Sequence, residues 1–308
     1  MVYKKIGVMI VLCCGLISVA EGRSGPLKPI FTFDTSAQNV EYDSDNKSYK
    51  IYYESYEGER KFWVLEPANK VEVYIDAKVE FSPVTEAYIY SYEVTSTENS
   101  LQSVWTFSVK YEDFEDAIVN VSSPEGWFAG AFSYIPILDW GGDPYYDKVI
   151  KPGEKQGGFS FQSQGLPGIV KCYAEGYTEL FVFSNFESEC AEAAGPPLPD
   201  PIENCVRGNT VGPIVPPEVF EPLSFLDNLI SLKEQAYSLG WINNKGILNS
   251  LNQKLEAVRK NIQKGKIKTA KNILGAFINE VEAQKEKHLS SEAYALLKFN
   301  AQYLKENL

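Results

Sequence analysis

The chain has 308 residues, 44% of them hydrophobic, and a formal net charge of −12. That length accommodates two domains, each large enough to bury its own core. The charge is uneven: residues 21–220 hold 14 basic against 32 acidic side chains, whereas 221–308 hold 13 against 9. An acidic body of this kind repels nucleic acid and anionic lipid, which sets both aside as partners.

Residues 1–20 have the anatomy of a secretory signal. Lys4 and Lys5 supply the positive end, Ile6 to Ile17 a short apolar run, and Ser18-Val19-Ala20 the small residues before a cleavage point. Cleavage near Ala20 is expected, giving a secreted protein, extracellular or periplasmic. The run is too short for a comfortable span, and no later stretch reaches 18 consecutive apolar residues, so no membrane span is expected in the mature chain. Cys13 and Cys14 leave with the leader, and Cys172, Cys190 and Cys205 remain. Cys190 and Cys205 are the preferred disulfide pair in an oxidising compartment, although spacing does not fix connectivity. Cys172 shares a face with Val170 and Ala174 and reads as a small core residue.

Residues 21–194 form the acidic domain. Its dominant period is two, as in Tyr88, Tyr90, Tyr92 and Val94, or Trp105, Phe107 and Val109. Further strand candidates are 30–34, 49–55, 61–66, 70–81, 117–122, 157–163, 168–174 and 178–185. Turn signals such as Glu57-Gly58 and Pro152-Gly153 separate them. About ten short alternating strands argue an antiparallel β-sandwich, each sheet packed on one face and wet on the other.

The chain has one histidine, His288, outside this domain. No nucleophile elbow, phosphate loop or zinc-binding spacing is present. Carboxylates are the abundant reactive groups. Glu112, Asp113, Glu115 and Asp116 cluster, but a hydrolase needs two carboxylates across a cleft, and solvated loop charge is the simpler reading. Asp43, Asp45 and Asn46 resemble an oxygen-rich Ca²⁺ loop only loosely, and a hairpin turn is simpler. No cofactor is expected.

The stretch 126–147 is the most suggestive. Trp127, Phe128, Trp140, Tyr145 and Tyr146 lie near Asp139, Asp143 and Asp147, and the glycines and prolines place much of the stretch in loops; Trp127, Trp140, Tyr145, Tyr146, Asp139 and Asp143 are the candidate ligand contacts. Aromatic faces beside carboxylates can hold a sugar: a ring stacks and acids accept hydroxyl bonds. The competing reading puts both tryptophans in the core with the indole N–H bonded internally.

Residues 195–222 carry eight of the seventeen prolines. Proline fixes φ and lacks a donor, so this stretch reads as a semi-rigid spacer, neither helix nor central strand. The spacer reading predicts that the acidic domain folds even when residues 221–308 are removed.

From 223 to 308 the apolar period becomes 3.6. Leu226, Leu229 and Ile230, then Leu251, Leu255 and Val258, then Ala270, Leu274 and Phe277, and finally Ala293, Leu296 and Leu297 mark four helical faces. Gly265 stops the second helix and Ser290 caps the fourth. Four helices with short connections make an antiparallel bundle. The fold class is therefore α+β and multidomain: a sandwich followed by a four-helix bundle. Lys260, Lys264, Lys266 and Lys268 gather at the second turn, as a solvated rim or as an anionic contact, the acidic domain itself being one candidate partner.

Two resemblances add to this. The segment 150–168 is similar to sandwich domains of poorly characterised exported bacterial proteins, which implies a fold type and no activity. Leu251, Leu255, Gly265, Ala270, Leu274, the run Ala276-Phe277-Ile278-Asn279, then Val281, Ala283, Leu289, Ala293 and Leu296 resemble the FIMAH-type helical domain over about residues 223–307. That resemblance implies an extracellular appendage and brings no catalytic residues. Glu286 stands where a glycine is expected, which predicts a slightly longer third helix. Together these readings point to an exported, non-catalytic binding or accessory protein whose ligand is a glycan or surface polymer. The helical bundle would act as spacer or docking module. A carboxylate-dependent polysaccharide hydrolase and a structural envelope component are the alternatives.

Overall fold

The computed structural model describes residues 25–29, 40–45, 47–54, 59–112, 114, 117–131, 136–178 and 205–308. The leader, Cys190, the strand candidates at 30–34 and 178–185 (apart from Thr178), Asn46, Asp113, Glu115, Asp116 and residues 195–204 lie outside them.

Two sheets build the first module. The six-stranded sheet runs β1-β13-β12-β7-β10-β9, all neighbours antiparallel. Its strands are β1 (Lys28–Pro29), β7 (Val104–Lys110), β9 (Trp127–Ala131), β10 (Ile137–Gly142), β12 (Leu166–Gly176) and β13 (Val206–Ile214). The four-stranded sheet runs β5-β6-β11-β8, with β5 at Val73–Ser82, β6 at Ala87–Ser96, β8 at Val119–Ser122 and β11 at Lys155–Ser163. A separate antiparallel sheet pairs β2 (Val40–Asp43), β3 (Ser48–Glu54) and β4 (Arg60–Leu65).

The two larger sheets face each other across aromatic rings. Trp140 stacks on Phe107 of its own sheet at 5.6 Å and meets Phe159 of the other at 5.7 Å. Tyr90 and Tyr92 are buried, and their hydroxyls donate to the Gly165 and Val211 carbonyls at 2.8 and 2.9 Å. Aromatic and β-branched side chains alternating along these strands explain why the sheets form and which face each one buries.

Three segments differ from the sequence reading. Residues 127–131 and 137–142 are paired strands rather than loops. Glycine suits this hairpin because Gly142 packs where a Cβ would lie 1.9 Å from the Lys148 carbonyl oxygen. Residues 206–214, read as spacer, form β13, an interior strand between β1 and β12. Its single proline, Pro213, is register partner to Pro167, so neither residue asks the other for a missing N–H. The joint between the modules therefore shrinks to 215–221. Glu112 anchors it by accepting from the Val215 N–H at 2.6 Å.

The second module is four helices: α1 (Pro222–Ser238), α2 (Lys245–Gln263), α3 (Ile267–Gln284) and α4 (Ser291–Asn307). They pack in a ring, α1 on α2, α2 on α3, α3 on α4 and α4 back on α1. Asn244 caps α2 and Ser290 caps α4. The third helix does not run longer: Glu286 adopts φ +62°, the left-handed geometry that favours glycine, just beyond its end. His288 serves the frame, its Nδ1 lying 3.0 Å from Asn243 Oδ1 and so tying two connections together.

The modules share a core. The edge strand β5 would present unpaired backbone groups, but α4 lies along it. The Ala77 N–H donates to Glu292 Oε1 at 2.8 Å, and Asn300 Nδ2 donates to the Pro167 carbonyl at 2.8 Å. Phe299 meets Tyr88 edge-on at 5.1 Å. Contact between the modules is thus apolar burial with two buried hydrogen bonds, rather than attraction between an acidic and a basic half.

Candidate functional site

The structure separates the six residues proposed from the sequence. Trp140 is 0% exposed, and its indole N–H donates to the Ser122 carbonyl at 3.1 Å. Trp127 is buried edge-on against Phe159 at 5.1 Å. Both point into the sandwich, so neither offers a face to a ligand; the core reading describes them.

Tyr145 and Tyr146 are 91% and 77% exposed. They sit on a 3-10 turn, Pro144–Tyr146, that leaves the end of β10. Asp143 fixes the start of the turn by accepting from the Tyr145 N–H at 3.0 Å. Its own carbonyl accepts from the Lys148 N–H at 2.8 Å. Asp143 is therefore a cap. Lys148 lies across Gly126 and pairs with Glu125 at 3.9 Å, which holds the turn against the start of β9.

Strand parity places the remaining pieces. With Trp127 and Trp140 inward, Phe128, Gly130, Asp139 and Gly141 face outward from the six-stranded sheet. Phe128 is 71% exposed and lies opposite Gly141. A Cβ added at Gly130 or Gly141 would meet nothing within 4 Å, so these glycines form an open floor. The row continues from Gly141 to Thr106 and on to Glu175. The neighbouring row runs Gly130, Asp139, Ser108, Tyr173 and Arg207. The outer face is thus a shallow floor with an exposed aromatic edge on one side and a carboxylate pair on the other.

The pair is electrostatically strained. Burial pushes the Glu175 carboxyl up to about 7, helped by the Asp139 charge and opposed by the Thr106 hydrogen bond. Burial also raises Asp139, although the Ser108 hydroxyl donates to Asp139 Oδ1 at 2.5 Å. Glu175 therefore holds a proton over much of the range below neutrality. It can donate to a ligand oxygen where an ordinary glutamate can only accept.

Phe128 stood among the aromatics of 126–147 but not among the six candidate residues, and Glu175 was missed by the sequence reading. The signal for Phe128 was its place beside Trp127, since adjacent residues of a strand face opposite ways. Glu175 gave no signal until the strand pairing was known. Of the Ca²⁺ reading, Asp43 is an ordinary turn residue, accepting from the Asp45 N–H at 3.1 Å. Among the described residues no group of three or more His, Cys, Asp or Glu side chains could hold a metal ion. Cys172 and Cys205 are both buried. A separate cavity of about 270 Å³ opens at the joint, lined by Leu166, Ile214, Val215, Phe225 and Asn300 among others.

The fold and this face define a two-module protein: an antiparallel sandwich, and a four-helix bundle docked on its edge. Residues 226–306 match the family model of the FIMAH domain, a domain found in exported proteins. No curated protein matches the chain. Among solved structures, an uncharacterised protein from Nocardia farcinica, described as having an immunoglobulin-like fold, aligns with 12% identity over 44% of this chain and 95% of that one. The TM-score is 0.25, and a likeness so slight carries no argument. No helix among the described residues is long and apolar enough to cross a membrane.

Proposed function

We propose that the protein is an exported, non-catalytic binding protein that holds a glycan or other surface polymer on the outer face of the six-stranded sheet. The observation that carries this reading is the pair of tyrosines, 91% and 77% exposed, on a turn pinned by Asp143 at the end of β10, the strand that pairs with the exposed Phe128 of β9. Exposed rings held rigidly lose little conformational freedom when they stack on a ligand. The glycine floor leaves room for a flat ring, and Asp139 and Glu175 supply an acceptor and a donor to its hydroxyls. Export rests on the leader-like residues 1–20, with cleavage near Ala20, and on the company the helical family keeps.

The test is retention of the full chain on insoluble polysaccharides and on bacterial cell wall, with Phe128→Ala, Tyr145→Ala and Tyr146→Ala beside the parent. These side chains are exposed, so the variants should melt as the parent does. Retention that falls at least tenfold in one of them supports the reading. A parent that is retained on no material, or variants that bind as well as the parent, refutes it.

Glu175 favours a second reading. A carboxyl held near 7 beside a second carboxylate is what a glycoside hydrolase uses as general acid. Release of reducing sugar from a bound polysaccharide, abolished by Glu175→Gln with retention intact, would select the hydrolase over the binder.

A further inference from the structure

We propose that the α2–α3 turn of the helical module is a docking site for a phosphate-rich linear polymer. This inference deepens the docking role given above to the helical module and is independent of the Phe128 face.

The turn carries Lys260, Lys264, Lys266, Lys268 and Lys271, and no aspartate or glutamate occurs between Ala257 and Asn279. Gly265, at φ +66°, lets the chain reverse tightly, so lysines from two helices fan out around one bend. Lys260 lies in the last turn of α2, one turn before Lys264 at its C-cap, and Lys268 and Lys271 share a face of α3. Like charges at these spacings weaken a helix.

Elsewhere in the module five of the eight remaining cations are paired. Lys233 pairs with Glu234 at 2.8 Å, Lys254 with Glu280 at 2.7 Å, Lys298 with Glu282 at 2.8 Å, Lys285 with Glu286 at 3.8 Å, and Arg259 with Asp227. None of the five turn lysines has an ion pair among the described residues. A chain of net charge −12 thus concentrates unneutralised positive charge at one bend. It does so on α2 and α3, while the helix packed along the sandwich is α4. The acidic domain is therefore not the partner that neutralises them.

The composition of the patch selects the occupant. Lysines are compact point charges suited to phosphate, and the patch has no free arginine fork for planar carboxylates. None of the large exposed apolar side chains lies between 260 and 271, so nothing would insert into a bilayer. No aromatic ring is present on which unpaired bases would stack. A flexible polymer of repeated phosphates fits the remaining chemistry: dense charge, and no demand for shape.

The experiment uses the full chain and long-chain sodium polyphosphate, with neutral dextran, single-stranded DNA and anionic phospholipid vesicles as comparison arms. If all five lysines engage, the logarithm of affinity should fall with that of salt at a slope of roughly −3.5, about a hundredfold loss between about 50 and about 200 mM. Lys264→Gln with Lys268→Gln should reduce the slope by about 1.4, whereas Lys245→Gln with Lys287→Gln, at the opposite end of the bundle, should leave it unchanged. Phe128→Ala should also leave it unchanged, so failure of this inference and failure of the sheet-face reading are distinguishable. No binding to polyphosphate at the lower salt, equal effects of the two double variants, or tighter binding to vesicles or DNA than to polyphosphate would each overturn the proposal.

Discussion

Glu175 offers the sharpest quantitative test of how the site is built. Its carboxyl is raised in the folded protein from an ordinary 4.5 to about 7. Between those values the folded state binds more protons than the unfolded state, so stability falls as pH rises through that window. The contribution is fully present below about 4.5 and lost above about 7. At about 1.4 kcal/mol per unit, the loss is about 3 kcal/mol. For a chain of this size that corresponds to a melting temperature lower by very roughly 6–12 °C. Burial pushes Asp139 and Glu292 the same way, so they add to the slope. The growing net charge acts on parent and variant alike. Calorimetric melts of the parent and of Glu175→Gln, taken from pH 4 to pH 8, isolate the one group. The variant should lose about 3 kcal/mol less than the parent across the window. If the two profiles run parallel, Glu175 is solvated in solution, and its role as a donor to ligand oxygens falls with that result.

Three further outcomes are expected from the geometry. Trp140→Ala should cost about 3–5 kcal/mol, read by chemical denaturation, because it opens a cavity between stacked rings, whereas Tyr145→Ala should stay within about 0.5 kcal/mol. Gly142→Ala forces a Cβ against the Lys148 carbonyl, so it should both lower the melting temperature and raise protease cleavage at 143–148. A chain ended at Glu221 exposes the β5 edge and the apolar faces of Tyr88 and Pro167; it should aggregate or melt well below the parent in light scattering and calorimetry, against the independence expected of a domain behind a spacer.

What the sequence made legible was whatever obeyed a simple period. The four helices were readable because their apolar residues recur at 3.6 and because Gly265 and Ser290 punctuate them. Strands β5, β6, β7, β11 and β12 were readable because Tyr, Phe and Val alternate along them. Strands β9, β10 and β13 were not. Gly130, Gly141 and Gly142 look like loop residues, yet they lie in paired strands, and at Gly142 the crossing Lys148 backbone leaves no room for a Cβ. Pro213 looks like a breaker, yet its register partner is another proline. The same pairing explains the site. Trp127 and Trp140 attract attention as large aromatics, but only the register of β9 on β10 shows that both point inward and that Phe128 points out. Asp139 was legible as one carboxylate among many. Its coupling to Glu175 depends on both strands flanking β7, which no local pattern encodes.

The joint also changes how the charge asymmetry should be understood. In a spacer, an acidic and a basic half would be held at an average distance and would screen each other. Here α4 is fixed along β5 by the Ala77–Glu292 hydrogen bond, the Asn300–Pro167 hydrogen bond and the Phe299–Tyr88 contact. The apolar core runs through both modules without interruption. The helical module therefore completes the edge of the sandwich, and its free lysines stand at a fixed place relative to the sheet face. If the sheet face and the lysine turn both bind as proposed, the two footholds on one body would act together on a long polymer, because engagement of the first sets the local concentration at the second.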